Sequence, residues 1–246
     1  MEKTDYNLSF HKYSERSVLV EWPQEINNYI LNDVLIFKNY LSKSNIESII
    51  QVNHAYNSIL IIYKFTIENI NDTFLELKQL YCSRNVEKLE TGNLWKIPVC
   101  YEDDFGWDLD EISRVKNLSK SEIIDFHLRP IYTVYFIGFL PGFMYLGGLD
   151  NHLHFPRKKN PRQRIEKGAV AIGGNQTGIY PHESPAGWNV IGNCPLELFQ
   201  ASKQSPCFAK AGDKIQFYEI DAIEHRKISA EVVKGTFVIE NQNLND

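Results

Sequence analysis

The stretch that most constrains this chain runs from Val134 to Phe199, where glycine, proline and aromatic residues crowd between apolar runs of strand length. It begins VYFIGFLPGFMYLGGL and, after a basic segment, continues GAVAIGGNQTGIYPHESPAGWNVIGNCPLELF. Runs such as Val134 to Phe136 and Ala169 to Ile172 predict short strands, and the residues between them predict tight, shaped loops. Glycines beside the rigid Pro141, Pro181 and Pro185 hold such loops in specific conformations with backbone amides turned outward, the make-up of a binding surface.

The regions before this stretch read differently. Val18 to Trp22 alternates as a half-buried strand, Ile26 to Leu41 carries apolar residues at helical spacing, and Ile46 to Val52 and Ser58 to Phe65 predict two further strands. A helix over Asp72 to Tyr81, capped by Asp72 or Thr73, completes a small α+β sandwich over residues 1–85. Cys82 to Asn93 is polar and aperiodic and is expected to be a linker. Residues 94–240 then form a second domain. Leu94 to Tyr101 predicts a strand that Pro98 places at an edge or interrupts. Asp108 to Asn117 and Ser119 to Leu128 predict helices, the second begun by a Ser119/Glu122 capping box. Gly212 and Asp213 turn into a strand over Lys214 to Tyr218, Glu231 to Ile239 predicts a last strand, and the tail from Glu240 is expected to fray. The fold class is α+β: a small α+β sandwich followed by a β-rich, closed or nearly closed barrel.

A net charge of −5 gives no electrostatic reason for nucleic-acid or anionic-membrane binding. The N-terminus lacks the basic start and apolar run of a signal peptide, and no apolar stretch approaches the length of a membrane span, so a cytoplasmic location is expected. Cys82, Cys100, Cys194 and Cys207 show no metal or redox spacing. No phosphate-loop or nucleophile-elbow motif is present, which argues for a part of a catalytic assembly rather than a complete enzyme.

GFLPGFMYLGGL, PRKKNPRQRIEKGAVAI, NQTGIYPHESPAGWNVIG and AGDKIQF resemble the PxpB family, whose members are the B-type subunits of 5-oxoprolinase and are also called KipI or allophanate hydrolase subunit 1. The resemblance implies that the second domain is a cyclophilin-like barrel. It implies a KipA-like partner of the C type and a LamB/YcsF-type partner of the A type, the assembly using ATP to open 5-oxoproline to L-glutamate, with no cofactor held by this chain. Alternatives within the same resemblance are an inhibitor of a sporulation-type sensor histidine kinase and a subunit that acts on allophanate or a urea derivative. Asn193-Cys194 departs from the family's common Arg-Thr pair, and Gln200-Ala201 from its Asp-Pro.

The candidate substrate-binding residues are Gln176, Thr177, Gly178, Tyr180, His182 and Glu183, where amide, hydroxyl, imidazole and carboxylate meet in one glycine-bounded loop. The same groups could instead satisfy loop backbone. Arg157, Arg162 and Arg164 could hold a carboxylate or phosphate, or simply form a solvated face. Phe139, Pro141, Phe143 and Trp188 are expected to wall the pocket. His152 and His154 alternate on an expected strand face, but no third metal ligand stands at a recognisable spacing.

Overall fold

The computed structural model describes residues 6–44, 46–85 and 92–244. The chain divides into two compact units, Met1–Glu90 and Thr91–Asp246. Half of the expected linker, residues 86–91, lies outside the described residues, as do Asn245 and Asp246 of the tail.

The first unit is a four-stranded antiparallel sheet with two helices. Its strands are β1 (Ser9–Ser14), β2 (Ser17–Glu21), β3 (Ile49–His54) and β4 (Ser58–Tyr63), in the order β1-β2-β4-β3. Alternation in β2 and β4 turns Val18, Val20, Ile59 and Ile61 onto one face. There they meet Ile30, Val34, Phe37 and Leu41 of α1 (Asn28–Lys43) and Leu77 and Tyr81 of α2 (Ile70–Ser83). Buried Asp33 accepts from Trp22 Nε1 at 2.7 Å, Tyr81 Oη at 2.5 Å and Arg84 Nη2 at 2.7 Å, pinning both helices and the sheet together. α2 starts earlier than expected because the side chain of Asn69, rather than Asp72 or Thr73, caps it.

The second unit is a closed barrel. β5 (Asn93–Cys100), β6 (Tyr132–Ile137), β7 (Met144–Gly147), β9 (Ala169–Gly173), β10 (Gln176–Ile179), β12 (Asn189–Asn193) and β13 (Lys214–Ile220) run in the order β12-β9-β10-β7-β6-β13-β5. The pairing of Asn193 with Cys100 closes the ring. All neighbours are antiparallel except β5 and β13, which are parallel over their whole length. α3 (Leu109–Lys116) and α4 (Lys120–Leu128), the latter with the expected capping box, follow β5. β8 (Arg162–Ile165) and β11 (Ser184–Ala186) form a separate two-stranded ribbon.

Strand alternation builds two cores. Val170, Ile172, Ile179 and Ile191 point into the barrel with Ile97, Val99, Val134 and Phe217. Ala169, Ala171 and Val190 point outward and meet Phe143, Tyr180 and Trp188 under Ile165 and Ala186 of the ribbon.

Four expectations are corrected here. Pro98 lies inside an uninterrupted β5 that has neighbours on both sides. Lys96 donates its backbone N–H to Glu240 O at 3.0 Å, so the nitrogen of residue 98 faces that same side. On that side the pairing with β14 (Asn241–Asn243) ends at Trp95, and β12 reaches only Cys100. The missing N–H therefore falls where one neighbour stops and the next begins. The expected last strand over Glu231 to Ile239 is instead the last turn of α5 (Ala222–Lys234), which is capped by Asp221 and ended by left-handed Gly235, followed by residues with no regular structure. The tail does not simply fray, because β14 pairs with β5. His152 and His154 occupy a 3-10 turn (Asn151–Leu153) and its cap, not a strand.

Candidate functional site

The first half of the segment expected to be one loop, Gln176–Ile179, is the strand β10, and that separates its candidate residues. Thr177 of β10 faces into the barrel and is fully buried. Its Oγ1 donates to Ala171 O at 3.2 Å and lies 3.0 Å from His127 Nε2, while His127 Nδ1 lies 2.7 Å from Tyr101 Oη. Because the Thr177 proton goes to a carbonyl, its oxygen must accept from His127 Nε2–H, leaving Nδ1 to accept from the Tyr101 hydroxyl. The imidazole is held neutral: burial pushes its pKa down to about 3. Thr177 thus belongs to an internal polar chain and offers no hydroxyl to solvent.

Gln176 and Gly178 face outward from the same strand. Gln176 is the antiparallel partner of Gly173, so its side chain rises from the same face as a Cβ at Gly173 would. Such a Cβ would come within 2.6 Å of the Trp188 ring, so the indole lies flat on the Gly173 backbone, beside Gln176. Gly178 gives Phe143 the same kind of access. On the other side of Gln176, Tyr145 pairs with Gly178 and stacks on Phe136 at 4.2 Å. Phe143, Tyr145, Tyr180 and Trp188 pack edge to face at 4.8 to 6.5 Å. Within this wall the Oε1 of Gln176 is buried and has no hydrogen-bond partner. The Ser184 hydroxyl is also buried and unpaired, on the residue opposite Ile165, so it faces the same cluster.

Arg157 stands with its guanidinium 5.5 Å from the Trp188 ring centre and has no ion-pair partner among the described residues. Burial raises the pKa of Tyr145, and the Arg157 charge opposes that rise; the same opposition acts on Tyr180. The cation therefore faces the aromatic cluster. At its rim, Phe139 is 64% exposed and held at φ 67°, a left-handed conformation that costs a bulky residue energy. Its ring sits 5.8 Å from that of Phe143, and Pro141 is exposed in the same turn.

The remaining candidates do not converge on this face. Arg162 makes a two-pronged contact with Asp108, both bonds 2.7 Å, and Lys158 adds a third at 2.7 Å. Asp108 is buried. Burial works against its charge, but the hydrogen bonds from Arg162, Lys158 and the Val190 amide prevail and hold its carboxyl below the ordinary range. Arg162 is therefore a clamp between the ribbon and the start of α3, not a waiting anion site. Arg164 pairs with Glu183 at 2.7 Å on the surface, and His182 is exposed. Asn193 turns toward α5, joining Lys167 O and His225 Nε2 at 3.0 and 2.9 Å, beside a groove of about 610 Å³ that holds none of the candidates. No cluster of metal-ligating side chains occurs among the described residues. Sequence reading missed His127 and the role of Gly173, whereas Tyr145 stands in the aromatic wall where it was expected and Asp108 faces the basic Arg162 and Lys158. The period-2 pattern of QTGI was the one signal that could have divided Gln176 from Thr177.

A cyclophilin-like barrel after a small α+β unit, with an aromatic face outside the barrel, is the class of protein defined here. The family model for the carboxyltransferase domain, subdomain C and D, matches residues 8–209. The B-type subunit of 5-oxoprolinase from Bacillus subtilis is 33% identical over 227 residues, which cover 88% of this chain and 95% of that protein. The protein of the same name from Haemophilus influenzae is 38% identical over 178 residues, 72% of this chain and 82% of that one. In fold, the urea amidolyase of Kluyveromyces lactis superposes with a TM-score of 0.82 at 18% identity, over 98% of this chain and 16% of that much longer one. The chain belongs to the PxpB family, the B-type subunits of 5-oxoprolinase, within the carboxyltransferase C and D domains.

Proposed function

We propose that this chain is the non-autonomous B-type subunit of an ATP-dependent 5-oxoprolinase, working with a KipA-like protein of the C type and a LamB/YcsF-type protein of the A type. The assembly hydrolyses the lactam of 5-oxoproline to give L-glutamate, and the outer aromatic face of the barrel supplies part of its substrate site. The observation that carries this reading is the incompleteness of that face. A solvent-exposed phenylalanine in a strained backbone packs on Phe143 of the aromatic cluster, and the same outer face holds a buried amide oxygen with no partner. Both features cost stability in the isolated chain and are accounted for if they are covered by a ligand and a neighbouring protein of the assembly. The names of the bacterial relatives support the reaction.

The test is reconstitution. 5-Oxoproline-dependent ATP hydrolysis and glutamate release are measured for the purified chain alone and with its two companions. Activity in the full mixture and none in the chain alone is expected; no activity in the full mixture would remove the reading. The urea amidolyase of Saccharomyces cerevisiae, 24% identical over 264 residues that cover 94% of this chain and 14% of that one, motivates allophanate as the competing substrate in the same assay.

A further inference from the structure

We infer that the face around Gln176 is a binding site for a small cyclic amide bearing a carboxylate, in which the Gln176 side-chain amide pairs with the ligand's ring amide and Arg157 takes its carboxylate. This rests on the oxoprolinase reading for the ligand's name, 5-oxoproline, but its chemistry is written in the side chains. Gln176 presents a buried amide oxygen with no partner, on a strand whose residues Thr177 to Ile179 are paired on both sides. A buried polar group left unpaired lowers stability, and a ligand that completes it recovers that loss. An amide answers a lactam in either orientation: its oxygen accepts the ring N–H, or, turned over, its NH2 donates to the ring carbonyl.

The rest of the surroundings match such a molecule. Trp188 on Gly173 and Tyr145 on the neighbouring strand line the same outer face as Gln176, their rings meeting edge to face at 6.1 Å, an aromatic floor that suits a compact ring rather than an extended chain. Arg157 shares the Trp188 ring with this site and, unlike Arg162, Arg164 and Lys158, has no carboxylate partner among the described residues. Its guanidinium can grip a carboxylate through two N–H groups.

The experiment titrates 5-oxoproline into the full chain, alone and in the assembled enzyme, by calorimetry, with cyclopentanecarboxylate as the ligand that keeps ring and charge but has no amide. Gln176→Leu and Arg157→Gln are each compared with the natural chain. We expect 5-oxoproline to bind at least tenfold more tightly than cyclopentanecarboxylate, and each substitution to weaken it at least tenfold. Gln176→Leu should also melt no lower than the natural chain, because it removes an unsatisfied buried group; a merely structural glutamine would give a lower melting temperature instead. Equal affinity for the two ligands, undiminished binding by Gln176→Leu, or no binding by chain and assembly alike overturns the site. Its failure is distinguishable from that of the enzyme reading. Turnover that is indifferent to Gln176→Leu removes the site and keeps the reaction, whereas Gln176-dependent binding without turnover keeps the site and removes the reaction.

Discussion

Replacing Thr177 by valine tests whether its hydroxyl serves the inside of the barrel. The two side chains have nearly the same shape, so the change removes hydrogen bonds without leaving a hole. The loss is the 3.2 Å bond to Ala171 O and the acceptor for His127 Nε2–H at 3.0 Å. Thr177 and His127 are both fully buried, so water cannot replace that acceptor. An unpaired buried donor costs about 1–3 kcal/mol and the lost hydroxyl bond about 1 more, giving about 3 kcal/mol in all. For a unit of this size that corresponds to a fall of roughly 6–12 °C in melting temperature. Thr177→Ser keeps the hydroxyl and loses only a methyl group, for about 1 kcal/mol. The measurement is chemical and thermal unfolding of both variants beside the natural chain, with the binding of 5-oxoproline recorded on the folded material. A valine variant as stable as the serine variant would refute the internal hydrogen-bond chain. A valine variant of natural stability that no longer binds would place the hydroxyl in the ligand site instead.

Acid should destabilise the fold through His127: the unfolded imidazole takes a proton near pH 6.5 while the folded one resists until about pH 3, so stability is complete above 6.5 and falls as pH drops between those values. The slope is about 1.4 kcal/mol per pH unit, and His127→Gln should flatten urea-unfolding free energies by that amount between pH 6 and 5; an unchanged slope would show that the histidine is not held neutral. Asp108→Asn removes the carboxylate that joins Arg162, Lys158 and the Val190 amide, and is expected to cost about 3 kcal/mol in denaturant unfolding, whereas a change under about 1 kcal/mol would mean that the clamp is a surface pairing. Phe139→Asn suits the left-handed backbone, so the melt should move by less than about 1 kcal/mol while activity of the reconstituted assembly is lost; full activity would remove Phe139 from the partner-facing rim.

What could be read from the residues alone divides along physical lines. α4 was legible because Ser119 and Glu122 cap each other locally, and that signal depends on no distant contact. β1 was not, because SFHKYS is almost wholly exposed and carries no alternation; it is a strand only by pairing with β2. The last turn of α5 reads as the start of a strand because EVVKGTFVI, Glu231 to Ile239, is rich in β-branched residues. The better evidence lay upstream, where Asp221 and Glu224 form a start and Gly235 a stop. The cyclophilin-like barrel was legible through its motifs, and the crowding of polar groups around β10 marked a special strand. The division of labour across that strand was not, since residues 176 and 177 differ by one place in the chain and by the full thickness of a sheet in space. Nor could Arg157 be told from Arg162 without the fold, because the distinction is Asp108, 54 residues away from Arg162.

The parallel pairing of β5 with β13 governs how this chain can be made. Asn93 and Asp213, which meet through a 3.0 Å hydrogen bond at the head of that pair, are separated by 120 residues. As the protein leaves the ribosome, β5, β6, β7, β9, β10 and β12 all emerge before β13, and until it arrives β5 and β6 lack the strand that sits between them. A nascent chain at this stage is an open sheet with unpaired edges, the kind of surface that recruits chaperones or other unfinished chains. Cutting at residue 209, where the family match ends, would make that state permanent. The fragment would keep six of the seven barrel strands and hold β5 only through Asn193 and Cys100, so a domain boundary drawn at the end of the recognisable motifs would yield aggregating material.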